Sequence, residues 1–263
     1  MGVAAVVAAV ALAVSPGQFL QANASNGAFS EPGGTADPAL TAWAVLGLRS
    51  ARLDAPGSLA YLQAHESSLA SVTDVALVAL AEQALGVTPT ALLARLEAAR
   101  RPSGQIGETM NSTMWAVLAL GRSSAATTRF VLVRQARSGG FSWAVGGQPD
   151  SNDTAAALEM LRVARVTGRP VARAVAFLLG FQRPNGGFEL TRGRGADAQS
   201  TAWAIQGLVA AGRKPPRSAF AYLAGLKRPD GSYRYSAAYA TTPVWVTAQV
   251  LAALAKQPFP LAR

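Results

Sequence analysis

The chain has 263 residues, half of them hydrophobic, with no cysteine, one histidine and a formal net charge of +10. That length and apolar content suffice for one well-buried domain, and the missing cysteine excludes a disulfide framework, a thiolate zinc site and a lipoprotein anchor. Arginine carries nearly all of the charge and is scattered through turns and helix ends. With no basic run and no interleaved aromatics, no nucleic-acid partner is expected.

Residues 2–14, GVAAVVAAVALAV, form an uninterrupted apolar run that stops at Ser15-Pro16-Gly17. The run is too short to span a bilayer and has the length of a signal-peptide core, with Ala11-Leu12-Ala13 as a small-residue cleavage site. Residues 1–14 are therefore expected to be an export signal, and residues 15–263 a single domain. No Lys or Arg precedes the run, so the competing reading is an extra apolar helix lying on a cytoplasmic protein. The C-terminal KQPFPLAR adds no membrane segment, and no stable membrane anchor is expected.

Six strings then align without gaps: TAWAVLGL at Thr41, TDVALVAL at Thr73, TMWAVLAL at Thr113, TAAALEML at Thr154, TAWAIQGL at Thr201 and TAQVLAAL at Thr247. Their spacings are 32, 40, 41, 47 and 46 residues. Each reads as a helix that is apolar on nearly every side. Most follow an amphipathic helix and a glycine turn: FVLVRQARSGGF from Phe130, FLLGFQRPNGGF from Phe177 and YLAGLKRPDGSY from Tyr222 match position for position. ASNGAF ending at Phe29 and RPSGQI ending at Ile106 keep only the turn, and the second repeat has lost its glycines. Asp37, Asp150 and Asp197 each stand four residues before a repeat threonine and read as helix N-caps.

The pattern predicts twelve helices in six pairs, with no strand signal. Neither terminal repeat resembles the polar cap that an open solenoid requires, whereas a closed ring has no ends to cap. The predicted fold is all-α, a six-over-six α/α toroid with the apolar helices inside.

RAVAFLLGFQRPNGGF, from Arg173 to Phe188, closely resembles the QW repeat of the terpenoid cyclase and protein prenyltransferase superfamily, with Phe188 where that family usually has Trp. Arg129-Phe130-Val131 with Gln135, Gly139 and Phe141 is a second copy, and Tyr222-Leu223 with Lys227, Gly231 and Tyr233 a third. The resemblance covers roughly residues 17 to 258. More narrowly, the chain looks like the exported bacterial prenyltransferase and squalene oxidase repeat proteins. It implies the toroid, with an apolar, isoprenoid ligand in the lumen.

The same resemblance singles out PDSNDTAAAL. In squalene-hopene-type cyclases a DxDDTA motif at this place presents a middle aspartate that protonates an alkene. Here Asp150 and Asp153 match the outer positions and Asn152 the middle one, so the candidate catalytic acids are Asp150 and Asp153. A helix N-terminus favours the carboxylate and would lower both pKa values, which supports reading Asp150 as a cap and Asp153 as first-turn charge. Those cyclases also form their cavity with a second toroid that this chain lacks. The candidate ligand-binding residues are Trp43, Trp115 and Trp203, each two residues after a repeat threonine, with Trp245, Asn152 and Asp197; Trp143, Tyr233, Tyr235 and Tyr239 are expected in loops at the ring mouth. Prenyltransferases hold zinc through Asp, Cys and His, and here the single His65 lies on a predicted outer helix. No metal and no cofactor are expected. Two alternatives stay open: a non-catalytic binding module, and a carbohydrate-active enzyme using two carboxylates from among Asp150, Asp153, Glu108, Glu189 and Asp197.

Overall fold

The computed structural model describes residues 14–261, so the expected export signal at residues 1–14 lies, but for Val14, outside the described residues. Six helices form an inner ring: α2 (Pro38–Ser50), α4 (Val72–Ala84), α6 (Met110–Leu120), α8 (Ser151–Val163), α10 (Ala198–Ala210) and α12 (Pro243–Ala255). Each packs on the next, and α12 packs back on α2. Outside them lie α1 (Pro16–Ala22), α3 (Ser58–His65), α5 (Thr90–Ala98), α7 (Ala125–Leu132), α9 (Arg169–Leu179) and α11 (Arg217–Leu226). The architecture is the predicted six-over-six α/α toroid.

The inner helices are buried on almost every side because both the outer layer and the lumen are lined by protein. Outer helices such as α9 bury one stripe only, Ala174, Val175 and Leu178. Start signals follow the sequence. Asp37, Asp150 and Asp197 each accept the N–H of the residue three positions on, at 2.7–2.8 Å, and Ser71 and Thr109 do the same for α4 and α6. No side chain of its own caps α12. Instead the Glu31 carboxylate, from the far end of the chain, accepts the Val244 and Trp245 N–H groups at 2.9 Å each.

The repeat threonines have a clear physical task. Thr41, Thr113, Thr154, Thr201 and Thr247 accept the N–H of Phe29, Ile106, Phe141, Phe188 and Tyr233, respectively, at 2.9–3.0 Å. Each hydroxyl thereby ties the glycine turn to the inner helix and satisfies a buried amide. Thr73 has no such turn to hold. Tyr233 consequently sits in the core, 4% exposed, rather than at the ring mouth.

Turn glycines lock one outer helix to the next. Gly186 has φ +89°, and a Cβ there would lie 2.4 Å from the Ser218 carbonyl on the first turn of α11. Gln182 Nε2 bridges the same junction, donating to the Gly186 carbonyl at 2.9 Å and to Ser218 Oγ at 3.0 Å. Gln135 repeats this at the previous junction, donating to Gly139 and Pro170. Gly231 leans on Ser15 in the same way, closing the outer layer.

Two departures from the sequence reading are small and local. Two-residue hairpins do occur, pairing β1 (Ala24–Ser25) with β2 (Ala28–Phe29) and β3 (Phe188–Glu189) with β4 (Ala196–Asp197). They are too short to leave an alternating pattern. The inner helices also bury polar groups, namely Glu82, Glu159, Gln206 and Gln249, each at most 1% exposed.

Candidate functional site

Because Trp43, Trp115 and Trp203 share one register on alternate inner helices, their side chains converge at the ring axis. Their ring centroids lie 5.4–5.8 Å apart with interplanar angles of 85–90°. Each edge-to-face pair contributes about 0.5–1.5 kcal/mol beyond burial, so the three indoles form a firm partition across the lumen. Phe259, from the C-terminal tail, closes the space below. Its ring lies 6.1 Å from Trp43 and 6.3 Å from Trp115. The Phe259 N–H donates to Glu159 Oε1 at 3.0 Å, and Arg162 donates to the Phe259 carbonyl at 2.7 Å.

Above the indoles lies an open cup of about 480 Å³. Its floor is the three tryptophans, and Trp143 and Trp245 stand in its wall, so every tryptophan of the chain lines this one cavity. The polar side of the wall carries Asp150, the N-cap of α8, Asn152 and Asp153 from its first turn, Asn111 from α6, Asp74 from α4 and Gln249 from α12. Trp143 is 58% exposed, and its carbonyl accepts the Asn111 N–H at 3.1 Å, which ties its loop to α6.

Asp153 is 6% exposed. Its Oδ1 accepts from Asn111 Nδ2 at 2.8 Å, and its N–H donates to Asp150 Oδ1 at 2.8 Å. Burial, followed by the adjacent Asp150 carboxyl, pushes Asp153 far above the usual carboxylate range, against the opposing Asn111 hydrogen bond. Asp150 is also raised by burial, although hydrogen bonds from Asp153 and Asn152 oppose it. The expectation of lowered values is therefore corrected. The cap contacts exist, but removal from water outweighs them, so both carboxyls are shifted toward the protonated form.

Asp197 is not among the residues lining the cup. Its carboxylate turns away to accept the Ser200 N–H at 2.7 Å and Ser200 Oγ at 2.9 Å, and burial raises its pKa. Glu108 is exposed and paired with Arg101 at 2.6 Å, and Glu189 accepts the N–H groups of Gly193 and Gly195. His65 ends α3, its Nδ1 at 2.7 Å from the Tyr61 carbonyl oxygen. Among the described residues no group of three or more His, Asp or Glu side chains could hold a metal ion. None of their helices is long and apolar enough to cross a membrane. Sequence reasoning missed Asn111 and Gln249.

No family model matches the chain, and no curated protein does. Solved structures do. A single-substitution variant of the type II terpene cyclase MstE from Scytonema, in complex with its substrate geranylgeranyl dihydroxybenzoate, aligns with TM-score 0.68 and 16% identity over 90% of this chain and 93% of its own. A protein from Actinoplanes aligns with TM-score 0.70 and 16% identity, over 92% of this chain and 97% of that one. The fold is that of the terpenoid cyclases. A further terpenoid cyclase fold, ent-copalyl diphosphate synthase from Streptomyces platensis, aligns with TM-score 0.59 and 20% identity over 83% of this chain, which spans 50% of that synthase. In this toroid, Asp150 and Asp153 at the start of α8 and the indoles of α2, α6 and α10 line the same cup.

Proposed function

We propose that the toroid binds an isoprenoid in the tryptophan-floored cup and cyclises it by protonation from Asp153. The observation that carries this reading is Asp153 itself: buried, hydrogen-bonded to Asn111 and Asp150, its pKa raised by burial, and lining the tryptophan-floored cup. In the step, the Asp153 O–H proton adds to one carbon of an alkene, leaving a tertiary cation on the other. An internal double bond attacks that cation, and a C–H proton leaves to solvent at the end, so the product is an isomer of the substrate. Indole faces stabilise the cation, and Asn111 steadies the carboxylate until solvent at the mouth reprotonates it. Asn152 cannot supply this proton, because an amide is no acid. Asp150 acts through Asp153 as a positioning residue. The likeness to a type II cyclase over 93% of that protein's chain supports a single ring as sufficient.

A second reading, binding without turnover, draws on Asn152 standing where the squalene-hopene cyclases have their acid. Incubating the purified protein with squalene or geranylgeraniol in D2O separates the two. Cyclisation predicts cyclic isomers carrying deuterium, lost in Asp153→Asn. Retained ligand without labelled product would leave the binding reading.

A further inference from the structure

Gln249 stands two residues after its repeat threonine, the register that carries Trp43, Trp115 and Trp203 in other repeats. The amide is 1% exposed and lines the cup, yet among the described residues neither its Oε1 nor its Nε2 has a hydrogen-bond partner. A buried amide with both ends unpaired is costly, and an apolar side chain would serve packing better. Its Oε1 and Nε2 together match a group that both donates and accepts, which is the hydrogen-bonding character of a hydroxyl.

The charge of the cup points the same way. The chain carries 24 Lys and Arg against 14 Asp and Glu, but the residues lining the cup include three carboxyls and no Lys or Arg. An anionic head group placed there would be stripped of water beside acidic groups, with no cation to pair it. Sites that hold diphosphates use the opposite chemistry, basic side chains or helix N-termini free of capping carboxylates. Here the α8 N-terminus is already filled by Asp150.

We infer that the cup selects uncharged isoprenoid alcohols, their hydroxyl seated on Gln249, and rejects the diphosphate esters of the same chains. This rests on the isoprenoid reading above and narrows it. Because all five tryptophans line the cavity, intrinsic fluorescence reports occupancy directly. The test titrates the full-length protein and its Gln249→Leu variant with geranylgeraniol, geranylgeranyl diphosphate and squalene. The wild type should bind the alcohol on the order of a hundredfold more tightly than the diphosphate. Gln249→Leu should weaken the alcohol by about tenfold, leave squalene unchanged, and raise the thermal midpoint of the free protein. Equal affinity for alcohol and diphosphate, or an alcohol affinity indifferent to Gln249→Leu, overturns the inference while leaving the isoprenoid reading standing. If none of the three probes binds the wild type, both fall. Should Gln249→Leu fail to fold, Gln249→Met, of similar shape and without an amide, carries the same expectations.

Discussion

Replacing Glu159 by Gln should stabilise the protein strongly in mild alkali and hardly at all in mild acid. Glu159 is fully buried on α8, with Oε1 accepting the Phe259 N–H and Oε2 without a partner among the described residues. Burial lifts its pKa from 4.5 to about 8, against the opposing effects of that N–H and of Arg162. Between those values the unfolded chain releases a proton that the folded protein keeps. The stability contribution is thus fully present below the unfolded pKa and drains away as pH rises through the folded one, by about 1.4 kcal/mol per pH unit. The whole interval amounts to about 5 kcal/mol as a ceiling. Gln offers the same acceptor to Phe259 and never ionises. Guanidinium unfolding of both proteins at pH 5, 7 and 9 reads the difference, which should grow from near zero at pH 5 to a few kcal/mol at pH 9. Parallel pH profiles would refute the reasoning, since they would mean that Glu159 is charged and solvated in the folded ring.

Thr201→Val removes the acceptor of the Phe188 N–H and should destabilise by about 1–3 kcal/mol in chemical denaturation, whereas Thr73→Val, with no turn amide to lose, should fall within about 0.5 kcal/mol of wild type. Glu31→Ala uncaps α12 and should cost about 1–2 kcal/mol, with faster amide exchange confined to the first turn of that helix. Gly186→Ala meets the Ser218 carbonyl, whereas Gly193→Ala, at φ +84°, meets nothing within 4 Å. Thermal melts should therefore show a clearly larger loss at position 186, although both sites carry the strain of a positive φ.

The fold was legible because its determinants repeat. A threonine that must catch a turn amide, and a glycine that must let one helix touch the next, recur with every pair and so announce themselves in a single sequence. The site was legible only by half. Its tryptophans follow the repeat register, and Asp150 and Asp153 sit in a recognisable string. What tunes them does not repeat: Asn111 reaches Asp153 across 42 residues, Phe259 reaches Glu159 across 100, and Glu31 reaches Val244 across 213. Such pairings leave no periodic trace. The reversal at Asp153 has the same origin. Local reasoning saw a helix N-terminus, which favours an anion, and could not weigh the loss of water imposed by five other repeats folding around it. Gln249 was passed over because a glutamine in a helix carries no motif, and its meaning comes only from the register it shares with three indoles.

A ring that closes on itself fixes its own membership. In an open array a duplicated unit merely lengthens the protein. Here a seventh pair would separate α12 from α2, pull Gly231 off Ser15 and leave Val244 and Trp245 out of reach of Glu31. The seam where the last pair meets the first thus acts as a counting device. It lets individual residues drift, as the glycine-less second repeat and the variable spacings attest, while forbidding gain or loss of a whole unit.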